Sequence, residues 1–227
     1  MQIRDDEIQP LRHGPLRTLI REQLLARIND GRFPPGVPLI EANLAERFQT
    51  SRIPVREALQ DLAKDGWLDL NPRRHARVHV PSPGEVDNVF QVRSALQAES
   101  ARLAASAATP EDVARLRALV KAGLKMAEDA DHTSASQANG EFHQAITSIS
   151  HNQMLAELVA HIEQRIHWYF TQIAAVRGVH SWHEHSQIVE AIAANDPDKA
   201  AADMRRHSQQ TRSVYQSYLQ REHESPQ

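Results

Sequence analysis

With 227 residues, 41 % of them hydrophobic and 24 % charged, the chain can form one large or two ordinary globular domains. No apolar run reaches the ~18–20 residues a bilayer crossing needs, and MQIRDDEIQP at the N-terminus has no apolar segment of the secretory kind. There is no cysteine, which excludes disulfides and thiolate metal sites, so a cytoplasmic protein with no membrane partner is expected.

The net charge of −3 hides an asymmetry. Residues 1–80 carry 13 basic against 11 acidic side chains, and the remainder 13 against 18. A mildly basic first third on an acidic remainder suggests two modules with different partners.

In the first module, Leu16, Ile20, Leu24 and Ile28 step by four and mark a helix closed by Asn29-Asp30-Gly31. FPPGVPL (33–39) reads as a turn-rich connection, and a short helix follows around 41–48. SRIPVREALQDLAKDGWL then has Ser51 at the N-cap, Pro54 in the first turn and Gly66 at the C-terminal stop. Val55, Leu59 and Leu62 form its core stripe, while Arg52, Arg56 and Gln60 step along the outward face. Two short strands, 67–70 and 77–80, flank the basic turn NPRRHA. Helix, helix, turn, helix, hairpin is the element order of a winged helix-turn-helix.

Two prolines and a glycine in VPSPGEV set the boundary: residues 1–80 form the first domain, 81–84 a linker and 85–227 the second. The second domain reads as an all-α antiparallel bundle of six helices at 84–107, 110–129, 133–149, 152–175, 181–195 and 197–221. Thr109 and Asp196 cap the helices opened by Pro110 and Pro197. The fold class is therefore mainly α, with a small β-hairpin wing.

A helix fits the major groove of DNA, and arginine grips guanine edges or phosphates in bidentate fashion. Ser51, Arg52 and Arg56 at the start of the basic helix, and Arg73, Arg74 and Arg77 on the hairpin, are the candidate DNA contacts. Arginines also decorate ordinary solvated helices; the ordered combination of short helix, tight turn, basic helix and basic hairpin is what favours DNA.

In the second domain, Asn139 and His143 lie one turn apart, beside an apolar stripe of Phe142, Ile146 and Ile149. His185 shares a face with Ile188, Val189 and Ile192, His207 with Met204, Thr211 and Val214, and Arg93 with Val89, Leu96 and Leu103. Four helices thus turn polar groups toward one interior. Imidazole nitrogens with an amide oxygen suit a divalent cation, with zinc or nickel expected first. Arg93 cannot shed its proton there, so it needs an anion: a small carboxylate effector, or alternatively Glu99 or Glu141. Packing alone is the competing reading, and His183 competes with His185 but lies off the apolar face.

DGRFPPGVPLIEANLAERFQTSRIPVREALQDLAKDGWLDL resembles the DNA-binding domain of GntR-family bacterial transcription regulators, above all in S-R-x-P-V-R-E-A-L followed by G-W-L. VFQVRSALQAESARLAA, EFHQAI and EHSQIVEAIAANDPDKAAADMRRH resemble the C-terminal FCD-type domain of the FadR subfamily, in its shorter six-helix branch. The resemblance implies that Arg52 and Arg56 read the operator. It also implies that Asn139, His143, His185 and His207 occupy the positions at which metal-binding members hold a divalent cation. Ile53 departs from the usual small hydroxyl residue, His75 from a wing glycine, Asn139 from an aspartate and Gln97 from a glutamate.

The expected function is that of a transcription regulator, by analogy a repressor. It acts as a homodimer on a near-palindromic double-stranded operator, under control of a small organic acid bound at the metal. A metal-free architectural or constitutive DNA-binding dimer is the alternative. A metalloenzyme is disfavoured because no H-E-x-x-H or similar base-bearing motif is present and the basic helix would have no use.

Overall fold

A computed structural model describes residues 15–71 and 75–224, the side chains of 170–172 and 222–224 excepted. The chain divides into two compact units, Met1–Pro81 and Ser82–Gln227.

In the first unit, α1 (Leu16–Asn29), α2 (Glu41–Arg47) and α3 (Arg52–Lys64) enclose a core that includes Ile20, Leu24, Ile28, Leu44, Val55, Leu59 and Leu62. Leu16, the first residue of the α1 stripe, is exposed. Ion pairs Arg17–Asp61 (2.5 Å) and Arg21–Asp65 (2.6 Å) tie α1 to α3 along the rim. After α3 the backbone turns at Gly66, whose φ of 73° lies in the region that favours glycine. β2 (Leu68–Asp69) and β3 (Ala76–Val78) form the expected hairpin. A third strand, β1 (Pro38–Leu39), lies inside the stretch read as a connection and pairs with β3, giving the antiparallel order β1-β3-β2. Two residues carry no alternating pattern, and proline, which argues against a central strand, is tolerated at the sheet edge where β1 lies.

The second unit consists of α4 (Pro83–Ala107), α5 (Pro110–Glu128), α6 (His132–Ile149), α7 (Gln153–Ala193) and α8 (Pro197–Glu224). α4 begins inside the expected linker: Ser82 and Glu85 close a capping box around Pro83, so two of the four linker residues form its first turn. Thr109 and Asp112 form a second capping box on α5, and the Asp196 carboxylate accepts from the Lys199 amide on α8. α4 packs against α6, α7 and α8, and its buried alanines 98, 101, 104 and 105 keep those neighbours close.

The six-helix expectation needs correction. Residues 152–175 and 181–195 belong to one 41-residue helix, α7. Gly178 lies in its middle with Ser181 and Glu184, a capping-box spacing, just beyond it, but an isolated glycine costs a helix only about 1 kcal/mol, and packing overrides both signals. Its missing side chain is used: a Cβ there would lie 3.3 Å from that of Ala127 on α5.

Candidate metal centre and nucleic-acid interface

α3 buries Val55, Ala58, Leu59 and Leu62 and leaves Arg52, Ile53, Arg56, Glu57 and Gln60 exposed, so the basic face is directed outward. Ser51 stands at the N-cap position with extended backbone, but its hydroxyl makes no capping bond. Arg56 is engaged already: its Nε and Nη2 donate to the Glu41 carboxylate of α2 at 2.8–3.1 Å. That hydrogen bonding holds the Glu41 carboxyl below its ordinary range. Arg77, exposed on β3, donates to the Gly36 carbonyl at 2.9 Å. Arg73 and Arg74 lie outside the described residues.

α6, α7 and α8 bring His143, His185 and His207 together, as their apolar faces require. Each has a ligand atom within 4.8 Å of the others, and all three are buried. Ring centroids lie 5.1 Å (143–185), 5.2 Å (143–207) and 4.6 Å (185–207) apart. His185 stacks on Phe142 at 4.2 Å and meets the edge of Trp182 at 4.8 Å. Burial pushes the His143 and His185 imidazoles well below their ordinary value, and neighbouring histidines and Arg93 push them further. Neutral imidazole is the form that binds a metal.

Whether the residues suit a cation is tested by their unmet needs. Both ring nitrogens of His143 and of His185 are buried without a hydrogen-bond partner, as is Oδ1 of Asn139, one turn before His143. Each such atom costs about 1–3 kcal/mol if left alone. The donor set of nitrogens and an amide oxygen fits a divalent ion of the zinc or nickel type.

His207 is held from behind. Its Nδ1 donates to Glu184 at 2.8 Å, which leaves Nε2 carrying the lone pair. Arg177 grips the same carboxylate at 2.9 and 2.5 Å and donates to the Thr211 hydroxyl at 3.2 Å. Burial alone would raise the Glu184 carboxyl, but hydrogen bonds from His207 and Arg177 outweigh it and hold the group at about 2. Burial takes His207 down to about 4 despite the bond to Glu184.

Arg93 is buried at 1 % exposure on α4. Neither expected carboxylate serves it: Glu99 pairs with Arg102, and Glu141 accepts from Gln137. Its ion partner is Glu163 on α7, at 3.6 Å. His183 is exposed, so His185 is the inward histidine of its turn. Sequence reasoning missed Glu163, Arg177 and Glu184. For the last two a signal existed, since a seven-residue step is two helical turns and places both on one face, but it required α7 to be continuous.

The protein families known from sequence give a consistent result. The pattern of the FCD domain matches residues 88–210, and that of bacterial regulatory proteins of the gntR family matches residues 16–78. The chain is 29 % identical over 194 residues to the HTH-type transcriptional regulator YdhC of Bacillus subtilis, covering 82 % of this chain and 84 % of that one. It is 28 % identical to the HTH-type transcriptional repressor RspR of Escherichia coli, covering 78 % of each. Among solved structures it resembles E. coli McbR/YncC with a TM-score of 0.74 at 24 % identity, over 91 % of this chain and all of that one. A GntR regulator from Rhodococcus matches at 0.75 and 21 %, over 88 % and 97 %. With more than half its length inside the FCD pattern and its basic helix inside the gntR pattern, the chain belongs to the gntR family of bacterial regulatory proteins, in the branch carrying an FCD domain, and is a DNA-binding transcription regulator.

Proposed function

We propose that this regulator is a dimeric repressor whose hold on a near-palindromic operator is set by a small carboxylate at a divalent-metal site in the helical unit. The observation that carries the reading is the set of four buried, unpartnered imidazole nitrogens of His143 and His185 beside His207. His143, His185, His207 and Asn139 would hold the ion. When bound, the ion would supply positive charge and open coordination positions for an anionic ligand. Arg93, buried on α4, offers a fork of donors for the ligand's carboxylate. Ser51, Arg52, Arg56 and Arg77 would meet the operator, as would Arg73 and Arg74. The relative RspR is named a repressor, which supports repression here.

Control requires the ligand to bind two arrangements of the protein with different affinity; otherwise it shifts nothing. Asn139 favours one competitor, a metal-free DNA-binding dimer, because a neutral amide is a weaker ligand than a carboxylate. Elemental analysis of protein purified without chelator or nickel resin decides between them. About one equivalent of divalent metal per chain, lost in His143→Ala, is the expected result; a folded wild type without metal would leave the metal-free reading.

A further inference from the structure

Arg93 is poorly served for a buried cation. None of its three nitrogens makes a hydrogen bond, and the Glu163 oxygen lies 3.6 Å from Nε, too far for one. Glu163 is also held by Gln97, whose side-chain amide donates to the same oxygen, Oε1. Gln97 follows Arg93 by one turn of α4, so both reach Glu163 on α7 from one face. The amide matters chemically, because a carboxylate at 97 could only repel Glu163, whereas an amide donates to it. The Glu163 side chain is 18 % exposed while that of Arg93 is fully buried. The acid is therefore the more exposed partner of the pair and the one a ligand can reach from outside.

We propose that Glu163, tethered by Gln97, is the resident counter-ion of Arg93, and that a carboxylate effector must displace it to bind. The proposal rests on the effector reading above and adds what determines which anions succeed. Glu163 neutralises Arg93 through a long contact, and a planar ligand anion offering two short parallel bonds to the guanidinium outcompetes it. An anion unable to do so leaves the internal pair in place. The apparent affinity is lowered by the fraction of time Arg93 is taken, and displacement exchanges an α4–α7 link for a ligand contact. Binding at Arg93 thereby changes the contact between two helices that also border the histidine cluster.

The test is calorimetric titration of full-length, metal-replete protein with succinate, malonate and lactate, at constant ionic strength kept with chloride. Wild type is compared with Glu163→Gln, Gln97→Met and Arg93→Met. Removing the competitor should tighten carboxylate binding roughly tenfold in Glu163→Gln, the gain expected if Arg93 is free about a tenth of the time. Gln97→Met, which frees the tether and keeps the charge, should tighten it a few-fold, and Arg93→Met should abolish it. If Glu163→Gln does not fold, Gln97→Met carries the comparison. Unchanged or weaker binding in the Glu163 and Gln97 variants, with Arg93→Met still inactive, overturns the counter-ion role and leaves the effector reading standing. Binding that survives Arg93→Met, or no binding by any of the four proteins, overturns both.

Discussion

Glu184 joins Arg177 of its own helix to His207 and fixes which imidazole nitrogen of His207 is left for a ligand. This arrangement has a direct consequence for pH. His207 titrates near 6.5 in an unfolded chain and at about 4 in the fold. Between those values the unfolded state binds a proton that the folded state refuses, so stability present above pH 6.5 is lost as pH falls toward 4. His143 and His185, lowered in the same direction, steepen the slope. Glu184 moves from 4.5 to about 2, so its contribution, complete above pH 4.5, is lost as pH falls from there toward 2. Chelator-treated protein should therefore melt at progressively lower temperature from pH 7 to 4. His185→Phe should flatten that slope, and thermal melts across the range check it; a slope unaltered by the substitution would contradict the buried-neutral assignment.

The helices meet where glycine lets them. A methyl group at Gly123 of α5 would overlap the indole of Trp182 on α7, and Trp182 in turn borders His185 and Phe142. Gly123→Ala should cost about 1–3 kcal/mol by overpacking and should also weaken metal retention, because the indole it displaces forms a wall of the histidine cluster. Denaturant melts and metal titration on the same preparation check both; an Ala variant as stable as wild type would mean the ring has room to move. Helix ends show how far elements were legible. α4, α5 and α8 announce themselves by proline with Ser82, Thr109 or Asp196 as cap. Several C-terminal stops do not: the turns after α2, α5 and α6 use Gln49, Ala130 and His151 at φ of 51–58°, where no glycine signals the break. Gly178, between the two helices expected there, serves the close packing of α7 against Ala127 of α5 and ends nothing.

The whole molecule joins a DNA-reading unit to a helical unit, and its charge follows that division. No helix among the described residues is long and apolar enough to cross a membrane. On an operator duplex, Arg56→Ala should weaken binding by about 1–3 kcal/mol and relax discrimination between bases, as expected for a groove contact. Arg52→Ala, at the helix start, should weaken binding to all sequences alike and reduce the slope of log affinity against log salt by about one. Anisotropy titrations between 50 and 200 mM salt separate the two, and identical salt slopes and base preferences in both variants would refute this division of labour.

Local sequence determined a good deal by itself. The period-four stripes of α1 and α3, the basic outward face with Arg52 and Arg56, and the inward set of Asn139, His143, His185, His207 and Arg93 all follow from helical geometry, which is a property of neighbours in the chain. What only the tertiary structure decided is what those side chains meet. Glu163 lies 70 residues from Arg93, and Glu41 reaches Arg56 across a turn. Glu184 borders the apolar stripe of its own helix and reaches His207 on the next. A periodic pattern reports which way a side chain points; which charge stands opposite depends on how helices distant in sequence pack, because the electrostatics of a buried group are set by distances in space.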